Sequence, residues 1–447
     1  MSAHQRTLSL FDATMLVMGG IIGVGVFYKP HEVAGIVPEP GAFFAIWLVG
    51  AFAGIAGAMT FAEFSATFPR TGGWYVFLRE GFGRLTAFLF AWIVLLVIST
   101  GACAGVADFG AEQIESVLGL DPNPERRLAI ACGLIVSITA LGLTGVKTSA
   151  IFQNLCMLAK LLAIGVFVVA GLAFFGDPPT SLPQEVEVQG SLGARMIRAT
   201  LPVLFTMGGW QLVTYVAPHV RDPQRTLPRA IVLGVVGVAV VYLLFNAAYV
   251  RVLGTHELAA NRDVATLLAN HTLGEHGARF LAGAISISAI GFLVATLVAT
   301  PGIYVAMSRE GLFLSSVGRV SARTGAPVLA LLIQMVVCLV YLTVSSDARG
   351  KLGDSVVFAE WIFHGLVGLA LLRIRRLRPE LPRPFRSLAY PLFPLVYAAF
   401  ASVVVVGTLF QQDIDITLLG LGVLALGAVV YVPWSRRRSG LEAQETT

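Results

Sequence analysis

Four glycines stand inside one apolar run, MGGIIGVGVF from Met18 to Phe27, and a second run, LPVLFTMGGWQLVTYV from Leu201 to Val216, carries the pair Gly208 and Gly209. Glycine costs a helix interior about 1 kcal/mol relative to alanine, so both runs are predicted to be loosened midway. A helix interrupted there exposes unpaired N–H groups and the positive end of its following half, which suits a carboxylate. The unwound carbonyls and the negative end of the preceding half suit an ammonium group or a cation. One pair of such interruptions holds a zwitterion by main-chain atoms, and an α-amino acid is the natural ligand.

Among the ionisable side chains within apolar runs, three stand out: Lys160, whose neighbours from Cys156 to Val169 are otherwise apolar, and the i, i+4 pair Glu360 and His364. A charge at membrane depth is costly, so each is a functional candidate by default. The pair reads either as a proton relay or as a solvated ion pair at the external water boundary. Glu63 and Asp12 read as structural, Asp12 as an acid in the first turn of a helix. Neither glycine-bearing run carries an Asp or Glu in its presumed pocket, which favours substrates with neutral side chains.

The elements that must position these groups follow from composition. The chain has 447 residues, 56% hydrophobic and 13% charged, with a mean hydropathy of +0.80, well outside the range of ordinary soluble domains. Reading apolar runs of about 18 or more residues as spans gives twelve, at about 10–36, 41–67, 84–114, 128–146, 149–175, 196–219, 228–253, 278–307, 326–345, 355–375, 388–410 and 414–433. With the N terminus inside, the inner face collects 20 Lys and Arg against 10 outside, where Asp121, Glu125, Glu185 and Glu187 lie among them. That bias predicts a cell-membrane protein with both termini cytoplasmic. The net charge of +5 is thereby a topology signal, and no nucleic-acid partner is expected. Met1 to Thr7 lead directly into the first span, so no cleaved signal is expected. The cysteines, Cys103, Cys132, Cys156 and Cys338, all lie within apolar runs, and neither disulfides nor a metal nor a cofactor is expected.

Unwound backbone in hydrocarbon is tolerated only where protein buries it or where it lines a cavity. Any one glycine pair taken alone reads more readily as a packing notch between helices. Spans one and six, however, are five helices apart, as expected if helices 1 to 5 and 6 to 10 are inverted copies that each begin with a broken helix. The predicted architecture is therefore an all-α integral membrane protein. A single transmembrane domain comprises repeat one at about 10–175, repeat two at about 196–375 and additional helices at about 388–433. No constellation of hydrolase, metalloenzyme or nucleotide-binding residues appears, so the chain is not read as an enzyme.

The stretches GGIIGVGVF, FPRTGGWYVFLREGFG (Phe68 to Gly83), IFQNLCMLAKLLAIGVFVVAG (Ile151 to Gly171), YVAPHVRDPQRTLPRAI (Tyr215 to Ile231), AMSREGLF (Ala306 to Phe313) and RPELPRPFRSLAYPLFPLVY (Arg378 to Tyr397) carry a family likeness. The chain resembles the amino acid-polyamine-organocation superfamily, and within it the L-type amino acid transporter branch and its bacterial relatives. The resemblance implies a five-plus-five inverted repeat with two extra helices, acting as a secondary transporter. It puts carboxylate binding on Ile22, Gly23, Val24 and Gly25, amino-group carbonyls on Gly20 and Ile21, and the rest of the pocket on Phe205, Thr206, Met207, Gly208 and Trp210. Phe205 takes the part of an aromatic gate and Trp210 shapes the far wall. Lys160 points toward the break in helix 1, where sodium sits in sodium-coupled relatives, either as a proton-coupling amine or as a charged strut for the helix 1 carbonyls. Three departures stand out: Val24 in place of a small residue, Pro218 and His219 in place of acids, and the pair Glu360 and His364 where relatives are uncharged. The expected activity is transport of neutral amino acids, by proton symport or by exchange. The alternatives are transport of cationic amino acids or amines, and a non-transporting sensor. The expected partners are an amino acid, the bilayer and protons. Animal members of the L-type branch join a heavy subunit through an external cysteine; this chain has none, so no obligatory heavy subunit is expected.

Overall fold

The first helix starts where Ser9 and Asp12 close a reciprocal cap. The Ser9 side chain accepts the Asp12 N–H, and the Asp12 carboxylate accepts the Ser9 N–H at 2.8 Å. A computed structural model describes residues 6–173, 189–344, 346–411 and 414–445. Met1 to Gln5, Glu185 and Glu187, and the side chains of Arg349, Lys351, Arg437 and Arg438, lie outside what is described. In chain order the helices are α1 (Leu10–Ile21), α2 (Gly25–Ile36), α3 (Pro40–Thr67), α4 (Trp74–Phe82) and α5 (Arg84–Ile93). A π-helical turn, Val94–Ile98, joins α5 to α6 (Ser99–Val117), and α7 (Pro124–Leu143), α8 (Val146–Leu172), α9 (Leu192–Thr206) and α10 (Leu212–Tyr215) follow. The remainder are α11 (Pro223–Ala260), α12 (Val264–Leu273), α13 (Gly277–Ala299), α14 (Pro301–Arg309), α15 (Val328–Thr343), α16 (Ser346–Leu377), α17 (Leu392–Gln411) and α18 (Ile414–Glu445). Prolines open α3, α7, α11 and α14, where a missing N–H costs nothing.

The described residues contain no strand, only an isolated bridge between Leu8 and Val220. Among the described residues eight helical segments, some joining consecutive helices, are long and apolar enough to cross a bilayer, or nine if α1 and α2, bent by 44° at their junction, count as one span. Apolar side chains cover the outer surface: Leu162, Val169 and Val429 are 72%, 69% and 68% exposed. Water disfavours such a surface and a lipid solvent does not. This is a multi-pass membrane protein.

Within the bundle, α11 runs along α3 and α1, α13 packs between α6 and α8, and α16 lies against α17 and α4. Small residues let the interrupted segments into this frame. A Cβ at Gly50 would lie 2.2 Å from Val203, and one at Gly234 would lie 2.4 Å from Val17.

Candidate functional site

Between α1 and α2 the helical ladder stops for three residues. Ile22 still donates to Met18 O at 2.7 Å and Gly23 to Ile21 O at 2.9 Å, and the next cross-break bond is Phe27 N to Val24 O at 3.1 Å. Among the described residues the N–H groups of Val24, Gly25 and Val26 have no main-chain acceptor, as at any helix start. Each carbonyl before them is held by a side chain from another helix. Tyr242 of α11 donates to Ile21 O at 3.1 Å, the Lys160 ammonium of α8 donates to Ile22 O, and Ser288 of α13 donates to Gly23 O at 3.1 Å.

The second interruption separates α9 from α10. Met207 caps α9, and Gly209, at φ +120°, turns the chain. Only glycine fits there: a Cβ at Gly209 would lie 2.1 Å from the carbonyl oxygen of Gly20. The two breaks therefore touch main chain to main chain. The Tyr242 hydroxyl also lies 3.2 Å from Thr206 O, so one side chain reaches both.

A cavity of about 330 Å³ opens at this junction, near the lower end of the range for small-molecule sites. Of the residues predicted to form the site, Gly20, Ile21, Gly23, Val24, Gly25, Phe205, Thr206 and Gly208 line it. Ile22, Met207 and Trp210 do not. Ile22 is fully buried and turns its carbonyl to Lys160. Met207 turns toward α3, within 3.9 Å of where Cβ atoms on Gly50 and Gly54 would stand. Trp210 fits over Gly57 into an aromatic cluster, its ring 6.4 Å from Phe61 and 6.2 Å from Tyr397, so it shapes the packing behind the cavity instead of its wall. Phe205 is 52% exposed, with the Lys29 ammonium 5.3 Å from its ring centroid. Lys160 is buried and outside the lining.

Glu360 and His364 do line the cavity. His364 is buried among Trp74, Trp361 and Tyr397. The expectation of a pocket without a carboxylate, drawn from helices 1 and 6 alone, is corrected by this contribution from α16. Sequence reasoning also missed Tyr242, Trp74, Thr296 and Phe292, which line the cavity from helices with no interruption to draw attention to them.

On the side where Leu8 lies, hydrogen bonds and ion pairs tie separate segments together. Leu8 exchanges main-chain bonds with His219 and Arg221, both at 2.9 Å. Tyr75 donates to Glu310 at 2.8 Å, Arg79 pairs with both Glu310 and Glu80, and Arg378 donates to Glu80 at 2.7 Å. Burial works against the Glu80 charge, but the Arg79 and Arg378 guanidiniums hold its carboxyl below the usual glutamate value. Asn154 donates to Asp12 at 2.6 Å, and the buried Glu63 accepts from Arg375 Nε and from the Ser387 N–H, both at 2.7 Å. On the opposite side Arg195 donates to both carboxylate oxygens of Glu39, at 2.6 and 3.1 Å, and lowers its pKa.

Membrane-spanning helices around a cavity bounded by two interrupted segments define a transporter, not an enzyme. The amino acid permease family profile matches residues 8–427, and the chain belongs to that family. It is 29% identical over 440 residues to the human protein named large neutral amino acids transporter small subunit 2, covering 96% of this chain and 80% of that one. It is 28% identical over 389 residues to the b(0,+)-type amino acid transporter 1 of Oryctolagus cuniculus, covering 86% and 78%. The serine/threonine exchanger SteT of Bacillus subtilis is 26% identical over 440 residues, covering 97% of this chain and 98% of its own length.

Proposed function

We propose that this protein exchanges neutral α-amino acids across a cell membrane by alternating access, with both termini cytoplasmic. The observation that carries the reading is the meeting of Gly20 and Gly209 at the cavity, which gives a zwitterion free N–H groups beside fixed carbonyls. The names of the human and Bacillus relatives supply neutral substrates and exchange. The substrate carboxylate is assigned to the free N–H groups of Val24 and Gly25 beside Gly23, its ammonium to the Gly20 and Ile21 carbonyls, and the wall to Phe205, Thr206 and Gly208. Phe205 is the gate. Ile22, Met207 and Trp210 support this shell without touching the ligand.

The architecture fits twelve spans arranged as two inverted repeats, at about 10–175 and 196–375, followed by two further helices at about 388–433. Three of the twelve escape a test of length and hydropathy for identifiable reasons. The sixth is split into pieces of 15 and 4 residues, the ninth has 16 residues, and the first part of the tenth, within α16, lies among residues 345–358, whose side chains are outside those described. The side where Leu8 lies is then cytoplasmic. The protein works without a heavy subunit: its cysteines all lie in helices, and its length matches that of the Bacillus exchanger nearly end to end.

Proton symport is the second reading, favoured by the buried Lys160 ammonium on the Ile22 carbonyl. Counterflow of radiolabelled leucine and serine in proteoliposomes, with and without a pH gradient, separates the two. Trans-stimulated uptake indifferent to the gradient supports exchange, and accumulation that requires the gradient supports symport. Binding with no flux would mark a sensor and end the transport reading.

A further inference from the structure

The main-chain end of the cavity suits an α-amino acid head group, but the far wall remains to be accounted for. There Glu360 faces the space beside Trp361, Trp74 and His364. It is the one carboxylate lining the cavity among the described residues, and its side chain is 23% exposed. No hydrogen bond to it is made by any described residue: His364 Nε2 stands 3.7 Å away, beyond hydrogen-bond distance. His364 cannot readily turn closer. Its Nδ1 is paired with the Tyr397 hydroxyl, and its ring lies between Trp74 and Trp361, with centroids 4.4 and 4.8 Å away. The imidazole is 2% exposed, so it holds the wall in place while the carboxylate is presented to the cavity.

A partly buried carboxylate to which no described donor is hydrogen-bonded, set against aromatic faces, leaves desolvation incompletely compensated until something donates to it. The aromatic faces take the apolar body of a side chain and the carboxylate takes its polar tip. We infer that this end of the cavity is a side-chain subsite selecting amino acids whose side chain ends in an N–H or O–H donor over apolar side chains of the same shape. The inference rests on the reading that the cavity binds an α-amino acid. Sites that bond a substrate donor reject the isostere lacking it far more sharply than apolar pockets discriminate by size. Because Glu360 is partly exposed, the expected discrimination is about tenfold, well short of the limit for a fully buried site. Side chains that end in a carboxylate are repelled.

The test is competition against counterflow of radiolabelled serine by the full-length protein in proteoliposomes, using near-isosteric pairs: threonine with valine, tyrosine with phenylalanine, and lysine with norleucine. The donor-bearing member of at least one pair inhibits about tenfold more strongly, and Glu360→Met brings that ratio to about one, read in counterflow or, where the variant's flux is too low to follow, by the amino-acid-induced thermal shift of the purified protein. Glu360→Gln keeps an acceptor oxygen without the charge, so it preserves a preference for hydroxyls and weakens one for lysine. Equal inhibition within every pair by the wild-type protein overturns the inference, as does a preference that survives Glu360→Met. Absence of counterflow for every amino acid would instead overturn the transport reading on which it rests.

Discussion

Gly20 and Gly209 stand so close that each occupies the space where the other's side chain would be. A Cβ on Gly20 would lie 2.7 Å from Gly209 O, and one on Gly209 would lie 2.1 Å from Gly20 O. The glycines that loosen the two segments are thus also the residues through which the segments meet. Gly208, one residue away, has nothing nearer its missing Cβ than Phe205 O at 3.9 Å. Gly209→Ala should therefore destabilise the protein by about 1–3 kcal/mol, as overpacking does. Gly208→Ala should leave the thermal midpoint close to wild type. Differential scanning fluorimetry of the two variants in detergent checks the contrast.

Lys160 is the only cation bonded to the unwound carbonyls of the first break among the described residues. Lys160→Ala strips the Ile22 carbonyl of its partner, and a buried unpaired acceptor costs about 1–3 kcal/mol. The variant should remain folded and lose exchange. Uptake of radiolabelled leucine measured across external pH separates strut from coupling. Activity restored by Lys160→Arg with an unchanged pH profile identifies a strut.

Tyr242 reaches Ile21 O and Thr206 O at 3.1 and 3.2 Å with one hydroxyl. Tyr242→Phe keeps the ring, which packs edge-on against Trp47 at 6.0 Å, and removes the link between the breaks. The expected loss in stability is about 1 kcal/mol, with a larger relative fall in exchange rate than in fold stability. Initial rates set beside melting temperatures give the comparison.

Glu80 sets an acid limit on the side where Leu8 lies. Its folded pKa lies below the ordinary value, so its stabilising contribution is complete above the unfolded pKa of about 4.3 and is lost as pH falls through the folded value. Thermal unfolding followed from pH 6 down to about 2.5 should show the wild type losing this contribution below the ordinary glutamate pKa. Glu80→Gln, which already lacks the charge, should lose less over the same interval.

Much of this arrangement is legible in the chain because glycine and charge are conspicuous in apolar runs. The break in the first span, the break in the sixth and Lys160 all announce themselves by composition. Which atoms face the cavity is a matter of rotation about an irregular segment, where the helical period that assigns faces no longer applies. That is why Ile22, Met207 and Trp210 turn away from a cavity that their neighbours line. Tyr242 reads as ordinary packing in an apolar helix until α11 is laid across both breaks. Glu360 reads as a boundary residue until α16 brings it to the same space. Both depend on contacts between helices far apart in sequence, which no local pattern encodes.

The most direct test places a side chain where the substrate carboxylate is assigned. A Cβ at Gly25 already stands 3.1 Å from Thr206 Cγ2, so Gly25→Leu fills the space between the two interrupted segments. Counterflow of radiolabelled serine should be abolished in that variant while its melting temperature stays within a few degrees of wild type, a shift of the size a loss of about 1 kcal/mol produces. Normal counterflow by Gly25→Leu would contradict the account.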